Sequence, residues 1–319
     1  MRKLIAAALA FAALFVISAA PASAWPDRNV RFLVPLGPGS GVDITARLLS
    51  DALSKKWGQP VVVENRPGGD GVIAINGFIG ANDDHVLLFA PTGAFSSHPY
   101  TQEKLPYDPG ALAPIARVTN TIVGIAVPAS LNITSLKGLL DMVKAQPGKL
   151  NWASATATNE FLFQGYLKET GLDMAKVPYR DTVSAINDLG EGRIQMYVGA
   201  YAIMRPHLQS GKIKVLAVTN RDRAKGASDL PTATEAGFPK LQFDGLVGIF
   251  GPTKMPEAVR AQIAADIKQI LADPEISGKL IATGQNISPG TPAEFAAAQK
   301  EQTTQVDGVA KLLGLKKAQ

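Results

Sequence analysis

Val34-Pro-Leu-Gly-Pro-Gly-Ser-Gly-Val-Asp43 ends an apolar run in a cluster of glycines and leads at once into a helical pattern. Before it, Val30–Leu36 reads as a strand; after it, Asp43–Trp57 sets Ile44, Leu48, Ala52 and Leu53 on one face of a helix. A strand, a turn of small residues and a helix together form the repeating unit of α/β folds. The turn also presents bare backbone N–H groups at a helix N-terminus, which suits an anion. That anion would be a dinucleotide phosphate or a small carboxylate, unless the loop holds nothing. The dinucleotide fingerprint fails on spacing: starting from Gly37 and Gly39 it requires glycine at position 42, where Val42 stands. The nucleophile-elbow pattern fails too, since Pro38 and Val42 flank Ser40 at two residues' distance. Asp43 stands where the helix begins and is expected to cap it.

The same unit recurs outward along the chain. Val61–Glu64 reads as a strand closed by a second glycine loop, Asn65-Arg-Pro-Gly-Gly-Asp-Gly71, before a short helix near Val72–Gly80. His85–Ala90 is a strand ending in a third polar loop, Pro91-Thr92-Gly93-Ala94. In the second half, Leu150–Ala153 runs into Ser154-Ala155-Thr156-Ala157-Thr158, again small and polar, ahead of a helix near Glu160–Thr170. Further strands are expected at Ile122–Val127, Gln195–Val198, Val215–Thr219 and Leu246–Phe250. Helices are expected at Leu136–Gln146, Ser184–Gly190, Met204–Ser210, Met255–Ala272 and Pro292–Leu313. Loops at the carboxyl ends of parallel strands are where open α/β sheets bind ligands.

The N-terminus addresses the compartment. Arg2 and Lys3 precede an apolar stretch from Leu4 to Ile17, and Ala22-Ser23-Ala24 forms a small-x-small cleavage pattern before Trp25. Residues 1–24 therefore read as an export signal; the run is shorter than the ~20 residues a membrane span needs. No cysteine follows, which excludes a lipid-anchored cysteine, a disulfide and a thiolate metal site. The formal charge of +5 loses two units with Arg2 and Lys3, and no Lys/Arg cluster stands out, so nucleic acid is not an expected partner.

Groups suited to an acid are found in the loops. Glycines at 68, 69 and 71 would let backbone approach a ligand closely, and Arg66 would either pair with a carboxylate or simply be solvated as a surface-loop arginine. Asp70 would select a ligand bearing a donor, or face water. Ser154, Thr156 and Thr158 offer hydroxyls ahead of a helix, with ordinary capping as the alternative. Catalytic groups are thin. His85, His98 and His207 lack metal-ligand spacing, and no cofactor is expected. A hydrolase built on Ser40 or Ser154 with Asp43 would lack an evident general base.

Several stretches taken in order resemble one family along nearly the whole chain. They are Trp25-Pro-Asp-Arg-Asn-Val-Arg-Phe-Leu-Val-Pro35, Gly39-Ser-Gly-Val-Asp43, Gly58-Gln-Pro-Val-Val-Val-Glu-Asn-Arg-Pro-Gly-Gly69 and Leu105-Pro-Tyr-Asp-Pro109. Pro147-Gly-Lys-Leu-Asn-Trp-Ala-Ser-Ala155, Val177-Pro-Tyr-Arg180, Gly211-Lys-Ile-Lys-Val-Leu-Ala-Val-Thr219 and Leu230-Pro-Thr-Ala-Thr-Glu-Ala-Gly-Phe-Pro239 complete the set. The chain resembles the periplasmic solute-binding receptors of tripartite tricarboxylate transporters, the Bug or TctC family.

The resemblance implies a two-lobed α/β Venus-flytrap fold, each lobe a mostly parallel sheet flanked by helices. Residues 25–123 with 246–319 would form one lobe and 124–245 the other. It implies a periplasmic, non-enzymatic and monomeric receptor, without membrane insertion of its own. Such a receptor would pass a small organic acid to the membrane subunits of a transporter, or report it to a sensing partner. Its site would comprise Leu36, Gly37, Pro38, Gly39, Ser40, Gly41 and Asp43 in the first loop, and Arg66, Pro67, Gly68, Gly69 and Asp70 in the second. Thr92 and Gly93 would join them, facing Ser154, Ala155, Thr156, Ala157, Thr158, Tyr179, Gly199 and Tyr201. The chain departs from the family at Ser154-Ala-Thr-Ala-Thr-Asn159, at Tyr179-Arg180-Asp181, and at Gly199-Ala200, where relatives carry an Asp-Asn-like pair. The last change implies a roomier, less polar wall and an acid with an aromatic or longer apolar body.

Overall fold

A computed structural model describes residues 25–154, 156–179 and 182–318. The expected export signal of residues 1–24, Ala155 and the Arg180-Asp181 pair lie outside the described residues. The chain opens β1 (Val30–Val34), α1 (Gly41–Trp57), β2 (Val61–Asn65), α2 (Val72–Ala81), β3 (Val86–Pro91), α3 (Gly93–Thr101) and β4 (Leu112–Thr121). It continues with β5 (Val123–Pro128), α4 (Leu136–Ala145), β6 (Asn151–Ser154), α5 (Ala157–Thr170), β7 (Ala175–Lys176), α6 (Thr182–Gly190), β8 (Met196–Ala200), α7 (Tyr201–Gln209) and β9 (Ile213–Val218). It closes with β10 (Gly245–Pro252), α8 (Glu257–Leu271), α9 (Pro274–Ala282), β11 (Gln285–Gly290) and α10 (Pro292–Leu313). No helix among the described residues is long and apolar enough to cross a membrane.

Two sheets result. One has six strands in the order β11-β4-β10-β3-β1-β2, the other five in the order β7-β6-β8-β5-β9. Alternation sends neighbouring side chains to opposite faces. Phe32, Leu87 and Ile249 join the core under α1 and α8, while Leu33, Leu88 and Phe250 join the opposite one with Phe78 and Phe295. In the second sheet Trp152 and Val198 face one core, and Ala153 and Tyr197 the other. Strands buried on both faces read as near-continuous apolar runs, which is why the chain shows its strands so clearly there. Each large side chain buried in this way contributes roughly 1.5–3 kcal/mol.

The sheets are mixed and not mostly parallel. β1 runs parallel to β2 and β3, and β6 to β7 and β8. In contrast, β10 is antiparallel to β3 and β4, β11 to β4, and β5 to β8 and β9. The strands that enter or leave each sheet at the passage between them have no crossover helix to reverse them, so they pair antiparallel. Two strands also lie outside the expectations. β4 carries Pro114 and Arg117 and is read through two register shifts against β10, which breaks its alternation. β11 is a polar edge strand (QNISPG) that pairs with β4 alone.

The chain passes between the sheets at Ile122, the single residue separating β4 from β5, and returns through residues 219–244. Buried Asn220 fastens the crossing. Its Oδ1 accepts from the Val123 N–H at 3.0 Å, and its Nδ2 donates to the Asn120 Oδ1 and the Thr121 carbonyl at 2.9 Å each. The units also pack directly. α5, which follows a strand of the five-stranded sheet, lies on α3 and α10. Phe161 stacks on Tyr100 at 6.0 Å and clusters with Val306 and Ala310.

Candidate functional site

The loop Leu36–Asp43 is held from inside by its own aspartate. Ser40, not Asp43, is the N-cap of α1: its Oγ accepts from the Asp43 N–H at 3.2 Å. Asp43 stands three residues in, and its side chain accepts from the N–H of Gly39, the residue before the cap, at 2.9 Å. The cap and the aspartate thus hold the turn from both sides, Ser40 at the first turn of the helix and Asp43 at the residue before the cap. Asp43 Oδ1 also accepts from Asn65 Nδ2 at 2.8 Å, and Asn65 Nδ2 lies 2.9 Å from the Leu36 carbonyl. Arg47 closes the ring, with Nη2 at 3.0 Å from Asp43 Oδ1 and 2.8 Å from Asn65 Oδ1. Burial pushes the Asp43 carboxyl up, but the hydrogen bonds from Arg47, Asn65 and Gly39 outweigh it, and its pKa ends below the ordinary value. The carboxylate thus ties the first loop to the start of the second.

In the second loop Pro67, Gly68, Gly69 and Asp70 are exposed. Gly68 has φ 120°, and Asp70, at φ 53°, holds a left-handed conformation costly for a non-glycine residue. Gly71 lies against Pro35, where a Cβ would come within 3.3 Å, so the two loops touch. Arg66 points elsewhere. Its guanidinium pairs with Glu64 at 2.6 Å and lies over Gly77, where a Cβ would stand 2.5 Å from Nη1. Asp70 neither faces water alone nor offers a bare carboxylate: His98 Nε2 lies 3.1 Å from its carbonyl oxygen and 3.2 Å from its Oδ2.

The stretch Pro91–Ala94 is not a free loop, because α3 begins at Gly93. Fully buried Thr92 turns its hydroxyl to Gln302 Oε1 on α10 at 2.6 Å. Gly93 faces the other sheet: a Cβ there would lie 3.0 Å from Thr158 Oγ1, and Ser97 Oγ meets the same hydroxyl at 3.1 Å. Thr158 is in the first turn of α5, whose N-cap, Thr156, accepts from the Asn159 N–H at 3.4 Å. Ser154 Oγ accepts from the Thr156 N–H at 3.5 Å, and Ala157 is the first residue of α5.

Tyr179 donates its hydroxyl to Asp188 Oδ2 at 2.7 Å. Burial, then that hydrogen bond, pushes its pKa up to about 12, so it stays neutral near pH 7. Tyr201 opens α7, with its N–H on the Ile122 carbonyl at 2.8 Å and its ring in the apolar cluster. The wall at Gly199 is not roomier, as its glycine suggests. The Tyr197 ring covers it so closely that a Cβ on Gly199 would lie 2.6 Å from Cε1. Residues two apart on a strand share a face, and the glycine seats the tyrosine.

The arrangement brings four helix N-termini to the carboxyl ends of parallel strands: α1 after β1, α3 after β3, α5 after β6 and α7 after β8. The Gly93–Thr158 contact shows that the two edges face each other. Each N-terminus carries roughly half a positive charge and unbonded N–H donors. A different polar groove of about 930 Å³ opens beside β4, β10 and α10, lined by Arg117, Arg221, Lys300, Asp244 and Glu301. Its Arg221 is already paired with Glu301 and Asp244. Asp83, Asp84 and His85 converge within 4.8 Å, but Arg28 occupies both carboxylates and holds the Asp83 pKa down to about 2.

Comparison with known proteins gives this geometry a context. Residues 45–315 match the family described as tripartite tricarboxylate transporter family receptor. A UPF0065 protein of Bordetella bronchiseptica is 31% identical over 288 residues, covering 90% of this chain and 86% of its own. Among solved structures, R. palustris Rpa4515 with adipate superposes with a TM-score of 0.80 at 25% identity, covering 92% of this chain and 99% of its own. MatC (Rpa3494) from Rhodopseudomonas palustris, with bound malate, reaches a TM-score of 0.75 at 26% identity, covering 89% and 99%.

Proposed function

Because the chain belongs to the tripartite tricarboxylate transporter receptor family, whose members bind ligands and are not enzymes, we propose that it captures a small organic acid between its two lobes. Residues 25–123 with 246–319 form one lobe in this reading, and 124–245 the other. The observation that carries it is the meeting of α3 and α5 at Gly93, Ser97 and Thr158, which brings helix N-termini of both lobes into contact. The arginines beside these loops, Arg47 and Arg66, are consumed by Asp43 and Glu64. Backbone N–H groups, with the hydroxyls of Ser154 and Thr156 beside them, are the donors this reading gives a carboxylate. Ser40 serves as a helix cap and not as a nucleophile. Adipate and malate, held by two relatives, have a carboxylate at each end of a short chain, and a dicarboxylate is the class we assign here.

The protein acts as a monomer in the periplasm, reached through the leader at residues 1–24. It hands the acid to the membrane subunits of a tripartite transporter. A thermal-shift panel of purified protein with succinate, malate, adipate and benzoate, each beside its neutral amide, tests the reading. One acid should raise the melting temperature while its amide does not, with stabilisation of about 2.7 kcal/mol at a hundred times Kd. No shift with any acid overturns it.

A further inference from the structure

Beyond the loops themselves, we infer that His98 is a positioning residue for ligand capture, bracing the Asn65–Gly71 loop through Asp70 from the helix that meets the opposite lobe. The inference rests on the acid-binding reading above. His98 is fully buried on α3 and belongs to neither loop. Both Asp70 atoms it meets, the carbonyl oxygen at 3.1 Å and Oδ2 at 3.2 Å, are acceptors, so Nε2 carries the hydrogen. Nδ1 is then the acceptor for the Tyr107 hydroxyl at 2.7 Å, which fixes the ring in one tautomer and one orientation. Burial, and after it the charge of Asp70, pushes the Tyr107 pKa well above the ordinary tyrosine value, so Tyr107 remains the donor.

Asp70 is the member of the loop that needs such a brace. It holds φ 53° between Gly69 at 59° and Gly71 at 96°, a run that flexible glycines alone would leave free to rearrange. One residue before His98, Ser97 touches Thr158 of the other lobe. A single turn of α3 therefore holds the ligand loop with one side chain and the facing lobe with the next. Arranging the loop before the acid arrives lowers the ordering cost of binding.

The test compares His98→Phe, which keeps an aromatic ring and loses both nitrogens, with His98→Gln, which can restore a donor toward Asp70. Hydrogen exchange of residues 66–72 is measured in the acid-free protein, relative to the strand amides of β1 and β3 in the same sample. His98→Phe should speed loop exchange about tenfold over the strands, and His98→Gln should recover most of it. Affinity for the acid found by thermal shift should fall about tenfold in His98→Phe and return toward wild type in His98→Gln. If His98→Phe does not fold, Tyr107→Phe, which releases Nδ1, is expected to speed the same segment by a smaller factor. Equal acceleration of loop and strands, or no rescue by glutamine, overturns the inference. Because exchange is read without ligand, a wild-type protein that binds no acid would sink the functional reading while leaving the brace to be judged on its own.

Discussion

Replacing Asp43 with alanine is expected to cost about 3 kcal/mol of stability and most of the affinity for the acid. The carboxylate is 2% exposed and has four partners: the Gly39 N–H, Asn65 Nδ2, Arg47 Nε and Arg47 Nη2. Alanine leaves the amide of Gly39, the amide of Asn65 and the guanidinium of Arg47 each short of an acceptor. The first loop then loses both its internal bond and its tie to the second, so the donors for a ligand lose their fixed positions. Urea unfolding and calorimetric titration measure the two losses. Asp43→Asn adds a pH signature. The folded pKa of Asp43 is depressed, so its contribution is present above the unfolded value of about 3.9 and is lost as pH falls through the folded one. The stability gap between wild type and Asp43→Asn should therefore be full at pH 7 and shrink below about pH 4. A gap that persists unchanged at low pH would show that packing, not charge, sets it.

Gly165→Leu is expected to be the second large effect. A Cβ at Gly165 would stand 2.4 Å from Val309 Cγ1 and 3.2 Å from Cγ2, where α5 crosses α10. Leucine cannot fit without separating the helices, and overpacking of this kind costs about 1–3 kcal/mol. The functional loss should exceed the stability loss, because α5 carries Thr158 and its shift pulls the second lobe away from Gly93 and Ser97. Val309→Ala in the same chain should restore part of both. Unfolding midpoints and acid affinities of the single and double variants decide it; absence of any rescue would place the damage elsewhere than at this crossing.

Where the chain is apolar and periodic, the fold is legible in its residues. α10 begins at Pro292 and ends before Gly314, a proline at the first turn and a glycine at the left-handed cap. The loops after β1, β2, β3 and β6 announce themselves by small residues. β4 and β11 do not, because Pro114, Arg117 and the polar QNISPG edge obscure the alternation that marks a strand. Within the candidate site, composition pointed to Arg66 and Asp70 as free charges. It carried no sign that Gly77 seats the first or that His98, 28 residues away, holds the second. Contacts so distant in sequence leave no local pattern. Tyr197 is a different case: its place over Gly199 follows from their spacing of two on a strand, a signal that was present to be read.

The most direct measurement is a crystal structure of the protein with the acid that gives the largest thermal shift. One carboxylate of that acid is expected between the lobes, within hydrogen-bond distance of backbone N–H groups in the loops at Gly37–Gly41 and Gly68–Gly71 or at the start of α5, with Arg47 and Arg66 still on Asp43 and Glu64. An acid seated instead in the groove lined by Arg117 and Lys300, or one held chiefly by a released Arg66, would contradict it.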